Sequence, residues 1–169
     1  MKVLALPRYV AQGASSRLRM RQYLPALAEL GWHVNESPLL DEAYLAAIYA
    51  GRKPAVWRLA FLYVRRLLVL LGAWQYDRVW LEKELWPWAP GWLEAIVLRL
   101  LPPAVVDYDD ALFHNYDQHP RAICRRVFAG KIEAAAAAGI DCLLFDWYAY
   151  EDGLFLQNAL ERGYLGASN

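Results

Sequence analysis

Apolar positions along this chain follow two rhythms. Short unbroken runs of about four residues alternate with longer stretches in which apolar residues recur every three or four positions, the marks of buried strands and of helices respectively. Val3 to Leu6 is the first run, ended by Pro7. The QGASS segment then supplies a flexible glycine and serine caps before a helical stripe of Met20, Tyr23, Leu24, Leu27 and Leu30, stopped at Gly31. Pro25 inside that stripe predicts a kink or a loosened turn. A second strand at His33 to Asn35 leads to a helix capped by Asp41 and running to Tyr49, and a long apolar helix covers Val56 to Ala73. A third strand spans Arg78 to Leu81, Pro87 and Pro90 open a helix to Leu101, and the run from Ala104 to Asp107 stops in acids. The alanines 134 to 138, closed by Gly139, form a further helix before a strand at Cys142 to Phe145 and a last helical stripe through Leu154, Phe155, Leu156, Ala159 and Leu160. Strands alternating with helices predict an α/β fold with a parallel sheet, because parallel neighbours need crossover connections. Val3 to Leu6 is expected at its centre, with parallel neighbours at the second, third and fourth runs. Cys142 to Phe145 is expected beside Ala104 to Asp107.

Composition adds three constraints. A chain of 169 residues suits one domain with a substantial core. Its 18 basic and 18 acidic residues cancel, so no overall field draws it to nucleic acid, and recognition by charge must be local. The apolar fraction of 58% and the eight tryptophans exceed ordinary usage, which predicts apolar surface left for a partner protein. Cys124 and Cys142 sit in apolar contexts without CxxC spacing and are read as free thiols in a reducing, cytoplasmic compartment. The start reads as a buried strand rather than a leader. Arg65 and Arg66 interrupt the most apolar stretch before it reaches the ~18 residues of a membrane span. The helix Trp57 to Trp74 is read as a core helix; alternatively, with Arg58, Arg65 and Arg66, it suits peripheral contact with the inner membrane face.

Three segments carry candidate chemistry. In the loop and helix start after the first strand, Gly13, Ser15, Ser16, Arg17 and Arg19 are candidates for phosphate binding, since cations at a helix start oppose its dipole unless an anion sits beside them. The acidic end of the fourth strand offers Asp107, Asp109 and Asp110, at the edge where open α/β sheets bind ligands. They can orient hydroxyls, or Asp109 or Asp110 can simply cap the next helix. Glu82 and Glu84 end the third strand at the same edge. Asp107 and Asp109 form a D-x-D, but three letters assign no Mg²⁺, and His114 and His119 lack zinc spacing, so no metal site is expected.

The segments GASSRLRMRQYLPALAELGWHV, YDRVWLEKELWPW and VVDYDDALFHNYD, in this order, resemble the amino-terminal domain of GT-B glycosyltransferases of family 4 over residues 1–131. The resemblance implies a Rossmann-like parallel sheet with helices on both faces, half of a GT-B fold, holding the acceptor against a second domain that binds the nucleotide-sugar. It sets the Gly13 loop and Arg17 toward the donor phosphates and Asp109 in the cleft, with Asp109 and Glu82 as the catalytic candidates. Residues 132–169 resemble the beginning of WbsX-like, endo-mannanase-like hydrolase barrels through GID-x-x-x-FDWY, which sets Asp146, Trp147 and Tyr148 at the ligand edge of one barrel strand. A barrel needs about 250 residues, so this segment is expected to dock on the first sheet and add one strand and one helix.

The resulting expectation is a fragment of a glycosyltransferase that moves a sugar from a nucleotide-sugar to a glycan or lipid-linked acceptor, weak or inactive alone, with no cofactor beyond the donor substrate. Two other functions stay open. One is a non-catalytic carbohydrate-binding or interaction module presenting Trp80, Trp86, Trp88 and Trp92; the other is a hydrolase remnant using Asp146 and Glu151.

Overall fold

The computed structural model of the chain describes residues 1–11, 13–109, 116 and 118–145. Five strands, β1 (Lys2–Leu6), β2 (His33–Glu36), β3 (Arg78–Glu82), β4 (Ala104–Asp109) and β5 (Asp141–Phe145), form one sheet in the order β2-β1-β3-β4-β5. Every pairing is parallel. The fold is therefore α/β and Rossmann-like, as the alternation of runs predicts. β1 lies inside the sheet between β2 and β3, but the middle strand is β3, and β4 pairs with β3 rather than with β1. Strand β5 pairs with β4 from Val105↔Asp141 to Asp109↔Phe145, so the alanine-rich segment joins the sheet where its apolar pattern predicts. The helix expected through Leu154 to Leu160 lies outside the described residues.

Helices α1 (Ala14–Arg19) and α2 (Leu24–Glu29) follow β1, α3 (Glu42–Tyr49) and α4 (Val56–Leu71) follow β2, α5 (Gly91–Arg99) follows β3, and α6 (Ala122–Phe128) and α7 (Lys131–Ala137) precede β5. The loosened turn predicted near Pro25 is a full break, with a 3₁₀ turn at Arg21–Tyr23 separating α1 from α2. Pro25 stands in the first turn of α2, where its missing N–H costs nothing, whereas inside one continuous helix its ring would meet the carbonyl of Arg21. Asp41 caps α3 as its position suggests, accepting the Tyr44 N–H at 2.9 Å.

Register lines up one apolar row across four strands: Leu6 opposite Leu81, Leu81 opposite Val106, and Val106 opposite Cys142. Leu70 of α4, Leu98 of α5 and Ile132 of α7 pack onto this face, so three helices share one core. Each fully buried leucine there contributes on the order of 1.5–3 kcal/mol. Val3 and Ala5 on the other face of β1 are equally enclosed. The alternate row leads to the carboxyl edge, where Glu82 of β3 stands opposite Asp107 of β4.

Helices α5 and α7 meet at their first turns. A Cβ built on Gly91 would lie 2.8 Å from the Cα of Lys131 and 2.9 Å from the carbonyl oxygen of Gly130, and Gly130 itself has φ +79°. Both obstructing atoms are backbone, so a side chain must push the helices apart. Gly91→Ala is expected to destabilise the protein by about 1–3 kcal/mol in urea unfolding, a cost set by overpacking. An unchanged midpoint would show that the two helices separate freely.

Candidate functional site

The carboxyl edge is built on the loop after β1. Its path is fixed by Glu82, the last residue of β3, whose Oε2 accepts the Arg8 backbone N–H at 2.8 Å and the Ser16 hydroxyl at 2.5 Å. The Ser16 oxygen in turn accepts the Tyr9 N–H at 3.1 Å. Gly13 permits the tight fold of this loop: a Cβ there would come within 2.4 Å of the Tyr9 Cβ. Glu82 and Ser16 are both 0% exposed. Their hydroxyl and carboxylate therefore hold the loop against the end of β3, and the order 2-1-3 puts this junction at the switch point of the sheet, the usual position of ligands in such folds.

A second carboxylate, Glu84, accepts from three other segments. Its Oε1 accepts Arg8 Nη1 at 2.7 Å, and its Oε2 accepts the Tyr116 hydroxyl at 2.7 Å and Lys131 Nζ. Lys131 Nζ also donates to the Trp86 carbonyl at 3.1 Å and to Glu94 Oε1 at 3.2 Å, while the Trp86 N–H donates to Glu94 at 3.0 Å. Arg8 and Lys131 thus meet two carboxyl groups, Glu84 and Glu94, in a nearly dry interior. Burial pushes the Glu94 carboxyl up to about 7; Lys131 pulls it down, and Glu84 adds to the rise. Burial works against the Arg8 charge, but Glu84, Tyr9 and Tyr116 together outweigh it and hold the guanidinium above its ordinary value. Burial, then the negative charge of Glu84, also raises the Tyr116 hydroxyl, which stays protonated and can donate.

Between these anchors the backbone is strained. Lys83 and Trp88 have φ of +67° and +62°, left-handed values that cost non-glycine residues about 1–3 kcal/mol each. The Lys83 N–H donates to the Asp107 carbonyl at 2.8 Å, and the Trp88 N–H to the Tyr116 hydroxyl at 3.3 Å. The Trp88 ring meets Tyr116, His119 and Phe128 edge to face. Another buried cation, Arg66 of α4, donates from Nη2 to the Pro7 carbonyl at 3.0 Å, while its Nε and Nη1 have no hydrogen-bond partner among the described residues. Burial and then the Arg65 charge pull it down to about 9, which leaves it charged at neutral pH, near Glu82.

The structure brings Gly13, Ser16, Glu82 and Asp107 together at one edge, with the backbone of Asp109 two residues further along β4. Of Ser15, Arg19 and Asp109 only the backbone belongs to the described residues; Asp110, Asp146, Trp147 and Tyr148 lie outside them. Arg17 is exposed, and α1 has only six residues and no side-chain cap. Arg21 is drawn away to Glu36, with Nε–Oε2 at 2.7 Å. Of the four tryptophans that would mark an interaction module, Trp88 and Trp92 are exposed while Trp80 and Trp86 are partly buried; among the described residues the most exposed indoles are Trp57, Trp74 and Trp92. Among the described residues no His, Cys, Asp and Glu side chains gather as a metal-binding group, and Cys124 and Cys142 are free thiols.

Sequence reasoning missed Arg8, Arg66, Glu94 and Lys131. A signal existed for Glu94, which falls on the same helical stripe as Gly91, Ala95 and Leu98 and so is committed to the interior. No family model matches the chain, and no curated protein matches it significantly.

Proposed function

We propose that this chain is the acceptor-side part of a sugar-transferring enzyme, binding carbohydrate or nucleotide-sugar at the carboxyl edge of its sheet and needing a second domain for efficient transfer. One observation carries the reading. The three segments with glycosyltransferase-like sequence, around Ser16, Glu82 and Asp107, are far apart in the chain yet meet at the sheet's switch point, tied by the Ser16–Glu82 hydrogen bond and the Glu82–Asp107 register. Carboxylates at a switch point suit hydroxyl-rich ligands, which offer several donors at once. Glu82 then positions the loop, and the exposed Arg17 beside it offers a charge for a diphosphate.

Without a donor domain, affinity should be low. Titrating the isotope-labelled chain with uridine and guanosine diphosphate sugars and with short glycans is expected to shift the amides of Gly13, Arg17 and Lys83 with a Kd of about 1 mM. Micromolar binding accompanied by sugar transfer would remove the need for a second domain. Shifts confined to other parts of the sheet, or none with any of these ligands, would overturn the carbohydrate reading.

A further inference from the structure

Helix α4 is turned inside out relative to its composition. Its arginines face the protein: Arg58 pairs with Asp41 at 2.7 Å, Arg65 Nη2 donates to the Pro38 carbonyl at 2.6 Å, and Arg66 is buried against Pro7. Its outer side is apolar from end to end. Trp57, Phe61, Val64, Leu68 and Leu71 follow one another at intervals of three and four, all more than half exposed, and Trp74 continues the stripe in the next turn. Helix α5, which packs on the same sheet face, adds exposed Trp92, Ile96 and Leu100. A soluble monomer rarely leaves such a row uncovered.

We propose that this outer face lies on an anionic bilayer, with α4 in the plane of the membrane interface. The choice of occupant rests on charge. From residue 43 to residue 76 the chain carries five basic residues and no acidic one, although the two classes are equal in the whole sequence. Three of the five are the inward arginines; Arg52 and Lys53 are exposed beside the start of α4. Lipid phosphates attract these two, whereas a second copy of the face would offer them no carboxylate. No charge must be dehydrated when the stripe enters the acyl boundary, since the arginines are already bonded to the protein. Trp57 and Trp74, each 71% exposed, stand at the two ends of the stripe, and indole is the side chain enriched where apolar and polar lipid regions meet. The 16 residues of α4 give a stripe of about 24 Å, long enough to lie along the surface at a depth of about 5–10 Å. No helix among the described residues is long and apolar enough to cross a membrane. The inference stands independently of the carbohydrate site.

Vesicle flotation tests it with the full chain. The protein is expected to float with vesicles of phosphatidylcholine and phosphatidylglycerol, and about tenfold or more less with phosphatidylcholine alone. Phe61→Glu and Leu68→Glu, both at exposed positions and checked by circular dichroism for retained helix, should abolish flotation. Replacing Arg52 and Lys53 by serine touches no core residue and should remove only the preference for anionic vesicles. The proposal fails if the wild type does not float with anionic vesicles or if the glutamate variants float as well as it does. It fails equally if sedimentation shows a vesicle-free dimer that Phe61→Glu turns into a monomer, which would assign the face to a second copy.

Discussion

Replacing Lys131 with methionine is expected to lower the unfolding free energy by about 3–5 kcal/mol at pH 8, the cost of leaving buried carboxylates without their counter-charge. Methionine keeps most of the apolar stem, so the change removes the ammonium rather than the packing. What remains is Glu84, 2% exposed and held by Arg8 and Tyr116, and Glu94, 3% exposed and held only by the Trp86 N–H among these contacts. The deficit should shrink at pH 5, because the Glu94 carboxyl, raised by burial to about 7, then holds a proton and stops requiring a cation. Urea unfolding of the two proteins at both pH values measures this. A loss below about 1 kcal/mol at pH 8 would mean that the cluster is solvated and that its short bonds to Lys131 contribute little.

The strands themselves were legible because each is a short apolar run between clear breakers, and a run buried on both faces needs no periodicity to be recognised; their order was legible only in part, since β3 rather than β1 stands in the middle. Cys142 to Phe145 illustrates the strength of that signal: whatever the origin of residues 132–169, an unpaired apolar run beside an open β4 edge finds its partner there. Helix faces were less legible. The stretch Val56 to Leu71 is apolar on nearly every side, so hydropathy alone assigns it to the core, while its orientation is tied to the carbonyls of Pro38 and Leu39, which accept from Arg65, and of Pro7, which accepts from Arg66 as well as from the Leu39 N–H. Those carbonyls belong to loops after β1 and β2, and no local pattern links them to a helix 25 residues later or more. A guanidinium turned inward needs acceptors, and these loop carbonyls supply them.

The candidate site was half legible for a related reason. Residues at strand ends, such as Glu82 and Asp107, are placed by the sheet register, which follows from the runs. The partners of Glu84, just past the end of β3, come from elsewhere: Lys131 reaches it across 47 positions and Arg8 across 76. The reading of Glu82 as a catalytic candidate rests on its position; its partners give it the further task of pinning the Ser16 loop. Charge in an apolar helical stripe, as with Glu94, is the one clue in the sequence that such a network must exist, because a carboxylate facing the core requires a cation from another element.

That same carboxylate should make the stability of the protein depend on pH in a direction opposite to ordinary acid denaturation. Burial raises the Glu94 carboxyl from 4.5 to about 7, so the folded state holds a proton that the unfolded chain has released. A group of this kind favours folding fully below the unfolded value and loses that contribution as pH rises through the folded one. Between about pH 4.5 and pH 7 stability should therefore fall, by on the order of 3 kcal/mol at 1.36 kcal/mol per unit. The groups that set the slope are Lys131 and Glu84, which face Glu94 from α7 and from the segment after β3. Glu94→Gln isolates the effect, since the amide oxygen can still accept the Trp86 N–H at a position now 3.0 Å away but carries no titrating proton. Unfolding free energies at half-unit steps should converge at pH 4 and separate by pH 7.5, with the variant ahead. A wild-type curve that instead rises with pH across this window, parallel to that of Glu94→Gln, would place the Glu94 proton transition below pH 4.5 and show that Lys131 outweighs burial.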